Sequence, residues 1–83
     1  MDTIKLTQGT INALNVLKEE KELLTLHDLK DIDESIATAH LTALARAGLV
    51  EVAEVEIPVT TVKTYKAWKI TELGESAIVE VKK

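Results

Sequence analysis

The chain predicts an α+β domain: three short helices, then a two-stranded antiparallel ribbon and a short closing helix. Three observations carry that expectation. Apolar residues recur at helical spacing from Ile11 to Leu17, and again from Ala37 to Ala45. Gly48 stands directly between the second of these runs and a β-branched segment, where a helix can stop and a strand begin. Residues 49–57 and 62–70 are both rich in β-branched side chains, and Pro58-Val59-Thr60-Thr61 between them reads as a turn.

Each element has its own local signal. Ile4 and Leu6 lead into Thr7, an N-cap for a first helix over 8–20. Ile11, Leu14 and Leu17 form its inner stripe, with Val16 on the flank and Glu20-Lys21-Glu22 as a polar exit. Thr25-Leu26-His27-Asp28 has the pattern of a capping box with Asp in place of Glu, opening a short helix over 26–31 that buries Leu26 and Leu29. Asp31-Ile32-Asp33 reads as a turn. Asp33 is then expected to cap a third helix, with Glu34 in its first turn complementing the dipole and Gly48 just past its end.

In the ribbon, alternation slips between Val52 and Val55, which predicts a bulge or a frayed edge. Folding about the turn sets Glu56 beside Lys63, Glu54 near Lys66 and Glu51 near Lys69, opposite charges across the strands. Trp68, in phase with Val62 and Ile70, is expected as a core anchor under the ribbon, and Tyr65 on its outer face. Thr71-Glu72-Leu73-Gly74-Glu75 caps the closing helix. Beyond it the pattern fits either a helix burying Ala77, Ile78 and Val81 or a short strand over 79–81.

Eighty-three residues make one domain, spanning 1–83. A chain this short buries only ~60–65% of the surface its unfolded form exposes. Its core must be aliphatic, because Tyr65 and Trp68 are the only aromatics. The chain has no cysteine, which excludes a disulfide or a thiolate metal site. No apolar run approaches the ~18 residues of a membrane span. Met1-Asp2-Thr3-Ile4-Lys5 lacks the basic-then-apolar pattern of a signal peptide. The expectation is a cytoplasmic protein that does not engage a membrane.

Catalytic and metal constellations are missing from the sequence. His27 and His40 fall on different predicted helices and read as exposed surface histidines. Asp28, Asp31 and Asp33 lack the spacing and glycine of a calcium loop, and capping explains them better. No phosphate loop, nucleophile elbow or Ser/His/Asp grouping is present, and Ser35 and Ser76 fit helix first turns. The chain is therefore expected not to be an enzyme, and to use no cofactor and no metal.

Two motifs carry a resemblance: Ala-Leu-Ala-Arg-Ala-Gly-Leu-Val at 43–50 and Ile-Thr-Glu-Leu-Gly-Glu at 70–75. With the order helix, short helix, helix, ribbon and closing helix, residues 7–78 resemble bacterial and phage winged helix-turn-helix domains of the MarR/ArsR/PadR type. That resemblance implies a three-helix core with a two- or three-stranded antiparallel wing and a short C-terminal helix. It also implies a small DNA-binding protein, a prokaryotic or phage transcriptional regulator, whose third helix enters the major groove of double-stranded DNA. The positions matching the outer stripe of that helix are Ser35, Thr38, Ala39, Thr42 and Arg46, and those on the wing are Lys63 and Tyr65. A homodimer would supply a second reading head.

Charge favours a different partner. The chain carries a net charge of −4. From Thr25 to Val50 the acids are Asp28, Asp31, Asp33 and Glu34 and the bases only Lys30 and Arg46, a net −2. Ala39 and Ala43 stand where such a helix often has a long basic residue, and Ile36, Ala39 and Ala43 suit protein contact as well as a thymine methyl. Lys63, Lys66 and Lys69 read more readily as a solvated ribbon with cross-strand pairs than as a phosphate-binding wing. The alternative expectation is thus a winged-helix module that docks on a protein and does not bind DNA.

Overall fold

The chain enters as a three-residue strand, β1 (Ile4–Leu6), and Thr7 turns it into the first helix, α1 (Gln8–Glu20). This computed structural model describes residues 3–58 and 62–82. The Thr7 hydroxyl accepts the Thr10 N–H at 3.4 Å, satisfying one of the free donors at the helix start. Ile11, Ala13, Leu14 and Leu17 are buried along one stripe. The helix ends on Lys21, which adopts the left-handed conformation (φ 56°) and donates its N–H to the Leu17 carbonyl at 3.0 Å. After β2 (Leu24–Thr25) comes α2 (Leu26–Ile32), opened by the expected capping box. Asp28 N–H meets the Thr25 hydroxyl and Thr25 N–H meets the Asp28 carboxylate, both at 3.2 Å.

The third helix, α3 (Thr38–Arg46), starts four residues later than the Asp33 cap predicts. Asp33 instead ends α2, donating its N–H to the Leu29 carbonyl at 2.9 Å. Its carboxylate accepts the Ser35 N–H at 3.0 Å and the Ser35 hydroxyl at 2.6 Å, closing a local turn. Ile36 then points into the core with no exposed surface. An extended residue, Ala37, must follow before helical geometry begins. The burial of Ile36 sets the entry to α3, and the Asp-Glu-Ser sequence serves the turn.

Two nine-residue strands follow, β3 (Val50–Pro58) and β4 (Val62–Ile70). They pair antiparallel without interruption from Val50–Ile70 to Pro58–Val62. The expected bulge is absent along this register. The slip in the pattern lies in the side chains: Val50 is buried, Val52 on the same face is 48% exposed, and Val55 on the other face is half-buried. The register confirms Glu51 opposite Lys69 and Glu54 opposite Lys66, and it sets Thr64, not Lys63, opposite Glu56. Residues 59–61 of the expected turn lie outside the described residues. β2 pairs with the far edge of β4 through Leu24–Trp68 and Thr25–Ala67, giving a three-stranded sheet in the order β2-β4-β3.

The exit from α3 explains why the two sequence motifs occur together. Gly48 N–H bonds the Ala45 carbonyl at 3.1 Å and Leu49 N–H bonds the Leu44 carbonyl at 3.0 Å, a Schellman closure that needs the left-handed φ of +77° at Gly48. Thr71 then locks onto this turn, its N–H reaching the Leu49 carbonyl at 3.1 Å and its hydroxyl the Gly48 carbonyl at 2.8 Å. The same hydroxyl accepts the Gly74 N–H at 3.0 Å, capping the last helix, α4 (Glu72–Ser76). A side chain at Gly74 would run into the Leu49 carbonyl and the Ile70 side chain, so only glycine allows α4 to approach so closely.

The open choice at the C-terminus resolves as a strand, β5 (Val79–Val81), parallel to β1 in the register Ile4–Val79 and Leu6–Val81. Ile78 and Val81 are about half-exposed, so the helical alternative that buried them does not hold. Leu14, Leu17, Leu29, Ile36, Leu41, Leu44 and Leu49 form the centre of the core, closed from the sheet side by Trp68 and Ile70. No helix among the described residues is long and apolar enough to cross a membrane.

Candidate functional site

Helical geometry divides α3 into two faces. Leu41 and Leu44 have no exposed surface and Ala45 packs against the core, while Thr38, Ala39, Thr42 and Arg46 face outward. These four residues, with Ala43 and Ala47, border one open groove. Thr38, Thr42 and Arg46 turn toward the sheet as well, bordering a second trough with Val52, Lys66 and Trp68. The outer stripe of α3 is therefore a ridge of short side chains between two depressions, with one guanidinium at its C-terminal end.

Two of the expected site residues lie elsewhere. Ser35 sits in the turn before α3 with its hydroxyl held by Asp33, so it is not part of the stripe. Those two hydrogen bonds from Ser35, its hydroxyl first, hold the Asp33 carboxyl below its usual pKa. Ile36 is buried and lends no apolar character to the outer flank. Tyr65, 42% exposed, borders a separate depression with Thr25, Leu26, His27, Asp28, Lys66 and Trp68, on the α2 side of β4. The Lys63 backbone pairs with Ile57, and its side chain lies outside what the structure describes.

Lys66, which the sequence reads as a ribbon lysine paired with Glu54, borders the candidate site. It borders both the α3 trough, which Arg46 also lines, and the Tyr65 depression. Among the described residues Lys21 forms an ion pair with Glu75 at 3.9 Å, and His27 Nε2 lies 3.6 Å from the Asp31 carboxylate. Glu54 is the register partner of Lys66 without forming such a pair. The available signal was phase: Lys66 shares its face of β4 with Trp68, two residues on, so a lysine there stands at the rim of the helix-facing side.

The two histidines have different settings. His27 is exposed beside Asp31. His40 is half-buried, contrary to its expected exposure; its ring fills the space over Gly9, and its Nδ1 accepts the Ala37 N–H at 3.1 Å. That bond serves the start of α3, where Ala37 has no side-chain cap to offer. No cluster of three or more metal-ligating side chains occurs among the described residues.

The surface offers hydroxyl and methyl groups along a helix, with an arginine and a lysine beside them and a tryptophan at the trough. When the chain is compared with protein-family models, with curated proteins and with solved structures, nothing matches it.

Proposed function

We propose that this chain is a winged helix-turn-helix domain that binds double-stranded DNA as a small transcriptional regulator of the MarR/ArsR/PadR type. The observation that carries this reading is the exposed outward stripe of Thr38, Ala39, Thr42 and Arg46, flanked by Lys66. A helix with such short side chains can lie deep in the major groove. Its methyl groups contact thymine, its hydroxyls reach phosphates or base edges, and Arg46 is the one side chain able to read guanine bidentately. The order α1, β2, α2, α3, β3, β4 and the three-stranded sheet support the winged-helix assignment.

Few cations take part, so affinity is low and the salt dependence shallow, with about 0.9 of log-log slope per phosphate contacted. Fluorescence anisotropy with a mixed-sequence duplex tests this directly. Binding is expected at ~20 mM salt, weakening as salt rises, with Arg46→Ala and Lys66→Ala each reducing affinity several-fold. Failure to bind any duplex at ~20 mM salt would sink the DNA reading. The net −2 of residues 25–50 and the exposed Val52 beside α3 favour a second reading, in which this ridge docks on a protein.

A further inference from the structure

The charge pattern and backbone direction of β5 point to a second copy of this chain, and we propose that two copies join edge to edge through β5. The joined strands would form an antiparallel four-stranded sheet in the order β1-β5-β5-β1 about a two-fold axis.

Backbone direction comes first. Ile4 N–H bonds the Ile78 carbonyl at 2.9 Å, and Lys82 N–H bonds the Leu6 carbonyl at 2.7 Å. Strand alternation therefore turns the backbone groups of Ile78, Glu80 and Lys82 toward β1 and those of Val79 and Val81 away from it. Among the described residues β1 is the only strand paired with β5, so the Val79 and Val81 groups form an open edge. Edge strands of this kind pair with further strands unless something prevents it.

Register comes second. A two-fold axis between antiparallel strands brings one residue opposite itself. Centring the axis on Glu80 or on Lys82 sets like charges face to face, which is unfavourable. With Val81 at the centre, its outward N–H donates to the Val81 carbonyl of the other copy and its carbonyl accepts that copy's N–H, and Glu80 of each chain lies opposite Lys82 of the other. That position is a non-hydrogen-bonded pair, the one in which cross-strand side chains approach most closely. Lys5 is already the register partner of Glu80 within one chain, so the solvent face would carry a row of lysine, glutamate and lysine. On the opposite face Val81, 49% exposed in the single chain and in line with buried Leu6, would meet its own copy.

The interface is short, so the dimer is weak and concentration-dependent. Sedimentation velocity from about 10 μM to 1 mM is expected to reveal reversible dimerisation. Glu80→Lys and Lys82→Glu each oppose like charges and should each raise the dissociation constant about tenfold. Mixed one to one, the two variants are again complementary and should associate about as well as the original chain. Lys82 has no charged register partner in its own chain, so Lys82→Glu tests the contact without disturbing the β1 pairing. Amide exchange gives a second readout: the Val81 amide should slow as concentration rises while the Glu80 amide, already bonded to β1, does not. A chain that stays monomeric at 1 mM would overturn the proposal. So would a mixture no better associated than either variant, or a Val81 amide indifferent to concentration.

Discussion

The two ends of α3 are built on opposite plans. Its C-terminal end is closed by backbone: Gly48 supplies the left-handed turn, and Thr71 and Gly74 clamp that turn from 23 and 26 positions along the chain. Its N-terminal end is closed by side chains: Asp33 and Ser35 hold a turn, Ile36 plugs the core, and His40 reaches back to Ala37. A backbone closure needs particular residue types and leaves a legible mark. A side-chain closure can be made by several residue types, and its outcome depends on what is buried nearby.

The contrast predicts a graded series of effects, read by denaturant unfolding. Gly74→Ala should cost most, about 4 kcal/mol. That exceeds ordinary overpacking because the obstacle is the Leu49 backbone carbonyl, which has little freedom to move. For a domain of this size that is a large share of the total stability. Ile36→Ala, at the other end of α3, should cost about 3 kcal/mol through the cavity it leaves. If Ile36→Ala proves milder than about 1 kcal/mol, the entry to α3 is not set by that side chain.

Gly48→Ala isolates conformation from contact, because a Cβ there meets only the Leu73 side chain at an ordinary 3.5 Å. The left-handed backbone alone should then cost about 1–2 kcal/mol. Lys21 holds the same conformation at the end of α1 without being glycine. Lys21→Gly should accordingly act in the opposite direction and stabilise by about 0.5–1 kcal/mol. The loss of its ion pair with Glu75 matters little, since both side chains are largely exposed.

The smallest effect concerns pH. The Asp33 carboxyl has a lowered pKa in the folded chain, from the Ser35 hydroxyl and N–H. A depressed folded-state pKa contributes stability that is complete above the ordinary carboxylate value of about 3.9 and is lost as pH falls through the lower folded value. Asp33→Asn should therefore narrow its gap from the original chain only as acid is added below that range. A gap unchanged down to the acid transition would mean that the turn does not depend on the charge.

Legibility followed the same division. The caps at Thr7, Thr25 and Thr71, the stop at Gly48, the 8–20 helix and the 62–70 strand were all readable, because each rests on a local hydrogen-bonding or φ requirement. On the candidate surface, Thr38, Ala39, Thr42 and Arg46 were readable from helical phase. Lys66 was not: its relation to Arg46 arises only when the ribbon folds beside α3 so that both residues line one trough, and the sequence offered Glu54 as a simpler partner. Ser35 was misplaced because an Asp-Glu-Ser run looks the same whether it caps a helix or closes a turn.

By itself, then, the sequence determined where chain segments start, stop and change periodicity, since those depend on neighbours within a few residues. Only the tertiary structure decided that Ile36 is buried and that His40 packs on Gly9. It alone paired residues 79–81 with residues 4–6, and brought Thr71 onto Gly48. Each of those depends on burying apolar surface and satisfying polar groups between segments far apart in the chain, and no local pattern encodes which distant segment will be there.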